Sequence, residues 1–562
     1  MLGIEGAKER RIALALGALL VITGAWLMYE SRGTTLWFDE WLFALEYDDN
    51  SLGDIIEPTN GHPTLVPVLV YRLLFATVGI DGSAAYRAVG VGGHLLVVAL
   101  LFVYTLRRAG AAVALVAAVL ILFLGPGWQN IVWGLQIGWL VSIAGGLGAL
   151  LALDRRDRAG DIAACALVFL TIAASGPGIA IAAGLIVEVV RTRGWRGAWI
   201  ALAPFGLFAL WWLAYQDSGA VRRTVTLAPG FAADSAAATL SALAGLSGPL
   251  LGEETASPGW GRPLALAAAA LVVWRLWGME RVPTRVWTLL AVLGAFWFLT
   301  GVQRAGIGPA ESSRYVYVGA VFAVALAVEL VRGVAIPRRA WIVIAAAVAV
   351  ITVANIGDMR SGAAFLRDQG LLTRTGLTAV EIARPVLDPG QELGAIPGYP
   401  LVVVRAGQYF DIERDLGTPA ATVDELAGAA ENVRLRADEE LTAMHGVTLL
   451  PSEPARAGAA PMVDAVAAGE VGERDGCVEF TPAAAGPAEP RPALDLTVPP
   501  GGLVITGEAT VAVRRFADGF PDDPIGRISR GGSGLLAIRA DGAPQPWHAR
   551  VAPAGRVTAC GA

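Results

Sequence analysis

Lysine is almost missing from this chain: Lys8 is the only one, so nearly every basic residue is Arg. Histidine and cysteine are scarce, with four and three copies among 562 residues. No pair of them has metal-ligand spacing, and no Gly-rich loop has the form that cradles phosphates. A structural zinc site and a P-loop-type nucleotide site are therefore excluded. Charge is sparse as well, at 16% of residues against 55% hydrophobic, and the mean hydropathy is +0.56. That is too apolar for a soluble protein of this length and requires several membrane spans. No nucleic acid is expected among its partners. Arg in place of Lys, with abundant Ala and Gly, points to a GC-rich bacterial genome.

The apolar character is confined to residues 11 to about 356, so the chain divides into a membrane half and a polar tail. Arg10-Arg11 precede a run of about 18 apolar residues, near the length that spans a bilayer. No small-residue cleavage site follows, since Tyr29-Glu30-Ser31-Arg32 is a poor one, and the run reads as a retained signal anchor. Cys165 lies inside an apolar run and reads as a small buried hydrophobe. Cys477 and Cys560 bracket the β-rich end of the tail, and their pairing as a disulfide favours an oxidising compartment.

Basic loops mark the cytoplasmic side of a membrane protein. With the N-terminus inside, residues 31–63 face outward. The apolar stretch Thr64 to Gly79 is short and carries Arg72 in its middle. If it crossed the membrane, Arg107-Arg108 and every later basic loop would fall outside. Treated as a surface helix over 64–79, it leaves all of them in the cytoplasm: Arg107-Arg108, Arg155 to Arg158, Arg191 to Arg196, Arg281 with Arg285, and Arg332 with Arg338-Arg339. The sequence thus predicts a polytopic α-helical membrane protein of about eleven transmembrane helices, starting near 11, 84, 111, 131, 161, 178, 198, 263, 286, 315 and 340. Its outward segments are 31–83, 125–130, 175–177, 216–262 and 302–314. The predicted location is the plasma (inner) membrane, multi-pass, with a cytoplasmic N-terminus.

The tail emerges outside as an extracytoplasmic C-terminal domain of α+β and β-sandwich character. Its expected parts are a mixed α/β segment with linker over 357–475 and a small β-sandwich over 476–562, after a transmembrane domain of 1–356. Residues 361–384 read as a helix and Tyr399 to Val404 as a buried strand. Thr422-Val423-Asp424-Glu425 has capping-box form and opens a helix to about His445. Residues 451–475 and 482–492, rich in Pro, Ala and Gly, read as loop. From about 493 short strands follow: 494–498, 503–506, 510–513, 535–538 and 548–551.

Chemistry-bearing side chains gather on the outward segments. Leu36-Trp37-Phe38-Asp39-Glu40-Trp41 sets two adjacent carboxylates among aromatic residues. A carboxylate at a lipid–water boundary can take a proton from an incoming hydroxyl. Adjacent carboxylates can also hold a divalent cation such as Mg or Mn, given further oxygen ligands. Arg304 and Arg314 have the fork geometry that binds a phosphate and stabilises it as a leaving group. Tyr315, Glu57, Asn60, His62, Trp128, Gln129, Trp133 and Gln136 complete the substrate-side set. Within it His62, in a Pro-Gly turn, reads as structural before catalytic. The run Trp128 to Gln136 reads either as a substrate wall or as an interfacial aromatic belt. Arg314 binds phosphate or snorkels, and the β-rich tail binds carbohydrate or merely covers the site.

This layout resembles the GT-C class of integral-membrane glycosyltransferases, which use polyprenyl-phosphate sugars, including the mannosyl- and arabinosyltransferase-like members. The matching features are the basic inner N-terminus, one span, the pair Asp39-Glu40 in the first outer loop, the turn Asn60-Gly61-His62-Pro63, a surface helix ending at Gly79, a span ending in Arg107-Arg108, and an outward C-terminal domain. The likeness is closest over residues 1–110 and general to about 360. It implies that Asp39 is the catalytic base or a metal ligand, with Glu40 secondary. Trp211-Trp212 with Tyr215 has the aromatic character of an oligosaccharyltransferase signature. It lies inside a predicted span and lacks that signature's Asp and Gly, which excludes the subfamily. The expected function is transfer of a sugar from a polyprenyl-phosphate donor to a glycan, lipid or protein acceptor of the cell envelope, at the lipid bilayer. The alternative is a non-catalytic polyprenyl-lipid transporter or envelope-assembly scaffold; spans nearly free of mid-membrane charge favour the enzyme.

Overall fold

A computed structural model describes residues 7–47, 51–59, 61–215, 225–247, 259–394, 396, 402–455, 458–483 and 491–562. Helices dominate to residue 445 and strands follow. The chain forms two compact units. The first holds residues up to Thr34, Glu46–Val78 and Gly82–Asp368; the second holds Thr35–Leu45, Gly79–Asp81 and Gln369–Ala562.

The apolar runs become helices close to the positions where most spans were expected to start. Among the described residues six helices are long and apolar enough to cross a membrane, or seven if one bent pair counts as a single span. The helices Arg158–Ala174, Pro177–Arg193, Trp199–Tyr215 and Gly261–Trp277, expected as spans, have 17 residues each, below the length that marks those six. Local signals set the helix ends. Gly110, in the positive-φ region at 82°, separates Ala84–Ala109 from Ala111–Leu122. The Asp157 carboxylate accepts the Gly160 N–H at 2.6 Å and caps Arg158–Ala174. The helix Leu65–Val78 is 14 residues, or about 21 Å, which is shorter than the roughly 30 Å hydrocarbon core.

Two stretches expected as outward loops are helical and packed. Ala228–Leu243 lies within 216–262 and buries a face of Ala, Ser and Thr against its neighbours. Small residues let helices approach closely without raising hydropathy, which is why the apolar pattern did not mark it. Residues 125–130 are not a loop. A 3-10 turn, Gly125–Gly127, runs into the helix Trp128–Val132, bent by 56° from Ala111–Leu122, and all of these residues are buried. The span expected near 131 starts at Gly134.

The stretch 361–384 is helical as expected, up to Ala383, as the end of one 46-residue helix, Arg338–Ala383. It runs unbroken through the boundary expected at 356/357. Val402 to Val404 are not a strand, and Tyr399 to Leu401, the rest of that expectation, lie outside the described residues. The Thr422 hydroxyl and Glu425 carboxylate form the expected capping box, but on a short helix, Val423–Ala427. A second helix, Glu431–His445, follows the break at Gly428.

The described residues of the second unit include eleven strands: β1 Leu449–Pro451, β2 Val463–Ala467, β3 Gly469–Arg474, β4 Cys477–Pro482, β5 Ala493–Thr497, β6 Leu503–Thr506, β7 Ala509–Arg514, β8 Gly526–Ile528, β9 Ser533–Leu536, β10 His548–Pro553 and β11 Val557–Gly561. They form two antiparallel sheets, ordered β1-β9-β6-β11-β4-β3 and β2-β5-β10-β7-β8. In β7 buried residues alternate with half-buried ones, the period-2 pattern of a strand with one face in a core. β2 and β3 replace the loop expected over 451–475. Of the loop expected over 482–492, residues 484–490 lie outside those described. Cys477 on β4 and Cys560 on β11 are joined as a disulfide, and these strands are neighbours in register.

Candidate functional site

In the first unit, three sequence candidates meet. Helix Thr284–Arg304 ends at Arg304, and helix Ser313–Val331 begins one residue before Arg314. His62 sits in a tight turn closed by a bridge to Thr59, with Gly61 at φ 73°. An Arg304 N–H donates to His62 Nε2, which requires an imidazole with its proton on Nδ1. Gly176 faces the other side of the ring. A Cβ there would lie 3.1 Å from His62 Nδ1, so a larger residue would make the ring give way by a few tenths of an ångström. Burial first, then the charges of Arg304 and Arg314, push the His62 pKa down to about 4. The ring is therefore neutral at physiological pH. Among the described residues, neither Arg304 nor Arg314 has a carboxylate partner within ion-pairing distance. Two half-buried guanidinium groups near a neutral imidazole, with no carboxylate against them, have the chemistry that an added anion would complement.

Aromatic side chains and one hydroxyl hold this site in place. The Arg314 guanidinium lies 5.4 Å from the Tyr315 ring centroid. Tyr315 in turn packs against Trp139 and Phe231, at 5.9 and 5.8 Å between centroids. The Ser313 hydroxyl accepts the Gln129 backbone N–H at 3.0 Å, which docks the bent segment onto the start of Arg314's helix. Trp128 packs on Phe365 and over Gly362, where a Cβ would come within 2.1 Å of the indole.

Gln129 and Asn130 are 0% exposed, and all four of their side-chain amide atoms lack a hydrogen-bond partner. Gln136 Oε1 and Trp128 Nε1 are in the same state. Such clusters are rare because each orphan costs about 1–3 kcal/mol. Broken helices are where membrane proteins place polar groups of this kind. Asn355 and Asp358, both buried, lie on the helix turn that presses against Gly125. The sequence reading passed over Asp358. A single acid at the end of an apolar run was the available signal.

Asp39 and Glu40 belong to the second unit. Glu40 is 2% exposed, and its carboxylate accepts the Trp37 backbone N–H at 2.8 Å. The Trp41 indole donates to the Leu36 carbonyl at 3.2 Å. The turn is thus closed by its own side chains and holds Phe38 at φ 52°, a conformation costly for a bulky residue. Half-buried Asp39 follows directly. The pairing of Glu40 with Asp39 as joint metal ligands gains no support, since Glu40 already caps its own turn. Among the described residues no three His, Cys, Asp or Glu gather as a cation site. Glu57 is exposed at the end of the helix Leu52–Ile56, and Asn60 lies outside the described residues.

Several candidates therefore converge in one unit: His62, Arg304, Arg314, Tyr315, Gln129 and, through its packing, Trp128. The acidic turn forms a separate constellation in the other. No protein-family model matches the chain, and no curated protein matches it at a significant level.

Proposed function

We propose that this protein is a GT-C-type membrane glycosyltransferase of the plasma membrane, moving a sugar from a polyprenyl-phosphate donor to a cell-envelope acceptor on the outer face. The observation that carries the reading is the convergence of Arg304 and Arg314 on neutral His62 without a carboxylate partner among the described residues. In this scheme the two arginines bind the donor phosphate. The acceptor hydroxyl attacks the anomeric carbon, the bond from that carbon to the phosphate oxygen breaks, polyprenyl phosphate leaves, and the hydroxyl proton passes to a carboxylate base, a role that the resemblance alone assigns to Asp39. Gln129, Asn130 and Gln136 supply unpartnered amide groups of the kind that bind sugar hydroxyls. Glu40 is a positioning residue that shapes the Asp39 turn.

The topology within this proposal keeps eleven crossings, a cytoplasmic N-terminus and an extracytoplasmic C-terminal domain. Helices of 17 residues rise about 25 Å, a shortfall that local bilayer thinning accommodates. The Cys477–Cys560 disulfide supports an oxidising environment for the tail.

The bent segment with buried amides favours a second reading, a non-catalytic polyprenyl-lipid transporter or assembly scaffold, since discontinuous helices line many transport sites. One experiment separates them. Purified protein is supplied with polyprenyl-phosphate sugars and acceptor extract, and release of polyprenyl phosphate is followed. The enzyme reading expects release by wild type and a loss of about 10²-fold or more in Asp39→Asn. Equal release by both removes Asp39 from the mechanism, and no release with any donor supports the transporter.

A further inference from the structure

A cavity of about 490 Å³ lies at the other end of the same bundle. Helix Thr284–Arg304 gives the separation: Arg285 lines the cavity, Arg304 holds His62, and 19 residues of helix put about 30 Å between them. Arg332 and Arg314 stand in the same relation on the helix Ser313–Val331.

Five separate basic segments converge on this cavity. They bring Arg107, Arg108, Arg156, Arg193, Arg285 and Arg332 to its wall against only Asp154 and Glu188. The carboxylates are already engaged. Asp154 pairs with Arg108 at 2.5 Å and with Arg285 at 2.8 Å, and Glu188 pairs with Arg285 at 3.2 Å. Glu329, behind Arg108, accepts the Tyr104 hydroxyl proton at 2.5 Å. Arg193 is held by Asp161 at 2.9 Å. That leaves Arg107, Arg156 and Arg332 without an acidic partner among the described residues.

Basic residues at cytoplasmic helix ends are expected of any membrane protein and alone mean nothing. Three features set this group apart. Arg285 is 5% exposed on the cavity wall, yet its Nε has no hydrogen-bond partner. The N-terminus of the 21-residue helix at Thr284 has no side-chain cap and opens on the same wall, adding the positive end of a helix dipole. Arg156 is held at φ 55°, which a non-glycine residue adopts only under local constraint. We infer that the cavity binds a phosphate-bearing group, either the head group of an anionic membrane lipid or a free phosphate compound. It is a second anion site, independent of the Arg304–Arg314 site and of any activity there.

The test uses the full chain. Binding of inorganic pyrophosphate is measured by calorimetry on delipidated protein, and retained phospholipid is counted by native mass spectrometry from nanodiscs of phosphatidylglycerol or phosphatidylcholine. Wild type is compared with R107Q/R156Q/R332Q, which spares the buried ion pairs. The control is R281Q/R338Q/R339Q, which removes three exposed arginines that do not line the cavity. The cavity variant is expected to lose about tenfold or more in affinity, or its retained lipid, while the control changes less than about twofold. Pyrophosphate binding identifies a soluble phosphate; selective retention of phosphatidylglycerol without it identifies a lipid head group. Equal effects of the two triple variants, or no binding of either probe by wild type, would overturn the site. Arg332→Gln alone, on an exposed loop, provides the same comparison if the triple variant misfolds.

Discussion

Removing the charge at Arg304 makes a measurable prediction about His62. Burial, then Arg304, then Arg314 lower the imidazole pKa from 6.5 to about 4. That interval corresponds to roughly 3–4 kcal/mol of preference for the neutral ring. In Arg304→Gln one of the two charges is gone, while burial, the larger cause, remains. The His62 pKa should therefore rise by less than half of the interval and stay below 6.5. With only four histidines in the chain, NMR titration of labelled rings can resolve each one. Phosphate bound between the arginines should shift wild-type His62 in the same direction, and should do so less in the variant. Stability follows from the sign of the shift. Because the folded-state pKa is depressed, His62 leaves stability intact above pH 6.5. As pH falls from 6.5 towards 4, the unfolded chain binds a proton that the folded chain refuses, costing up to about 1.4 kcal/mol per pH unit. An unchanged His62 pKa in Arg304→Gln would refute the contact and, with it, the anion site.

Three further outcomes can be checked by denaturation or activity. Glu40→Gln keeps an acceptor for the Trp37 N–H and should leave both stability and turnover near wild type, whereas Glu40→Ala should cost about 1–3 kcal/mol in a thermal melt; loss of turnover in Glu40→Gln would restore Glu40 to the chemistry. Asp541→Ala leaves the buried Arg515 guanidinium without its bidentate partner and should destabilise by roughly 3–5 kcal/mol in urea unfolding. Gly125→Ala would bring a Cβ to 1.8 Å from the Asn355 carbonyl oxygen, so the bent segment must shift; a melting temperature drop reflecting roughly 1–3 kcal/mol or more is expected.

Helix positions were legible because a long apolar run has few alternatives. Most expected span starts coincide with a helix start, and the stretch 64–79 contains a 14-residue helix. Residues from five of the basic segments line one cavity. What the pattern could not convey is packing that does not depend on hydropathy. Ala228–Leu243 is built of Ala, Ser and Thr, and Trp128–Val132 is a bent helix whose Gln and Asn look like loop residues until their burial is known. The strands β2 and β3 were hidden in the same way, since their residues are mostly exposed and their composition is that of a linker.

The same distinction applies to the candidate residues. Arg304, Arg314 and His62 were each noticed for their chemistry, but their grouping depends on contacts between residues 242 positions apart. A neutral histidine is the informative member. Alone in a turn it reads as structural, and as a ring kept neutral first by burial and then by two nearby arginines it reports a positive field that a phosphate would complement. For Asp39-Glu40 the lesson runs the other way. Adjacency in sequence suggested a shared role, yet in the turn one carboxylate faces inward to hold the backbone and the other follows a strained Phe38. Glu40 is engaged by the backbone of its own turn, so the proposal keeps one functional acid, Asp39, rather than two. That makes Asp39→Asn and Glu40→Gln opposite in expected effect, although they change neighbouring residues by the same chemistry.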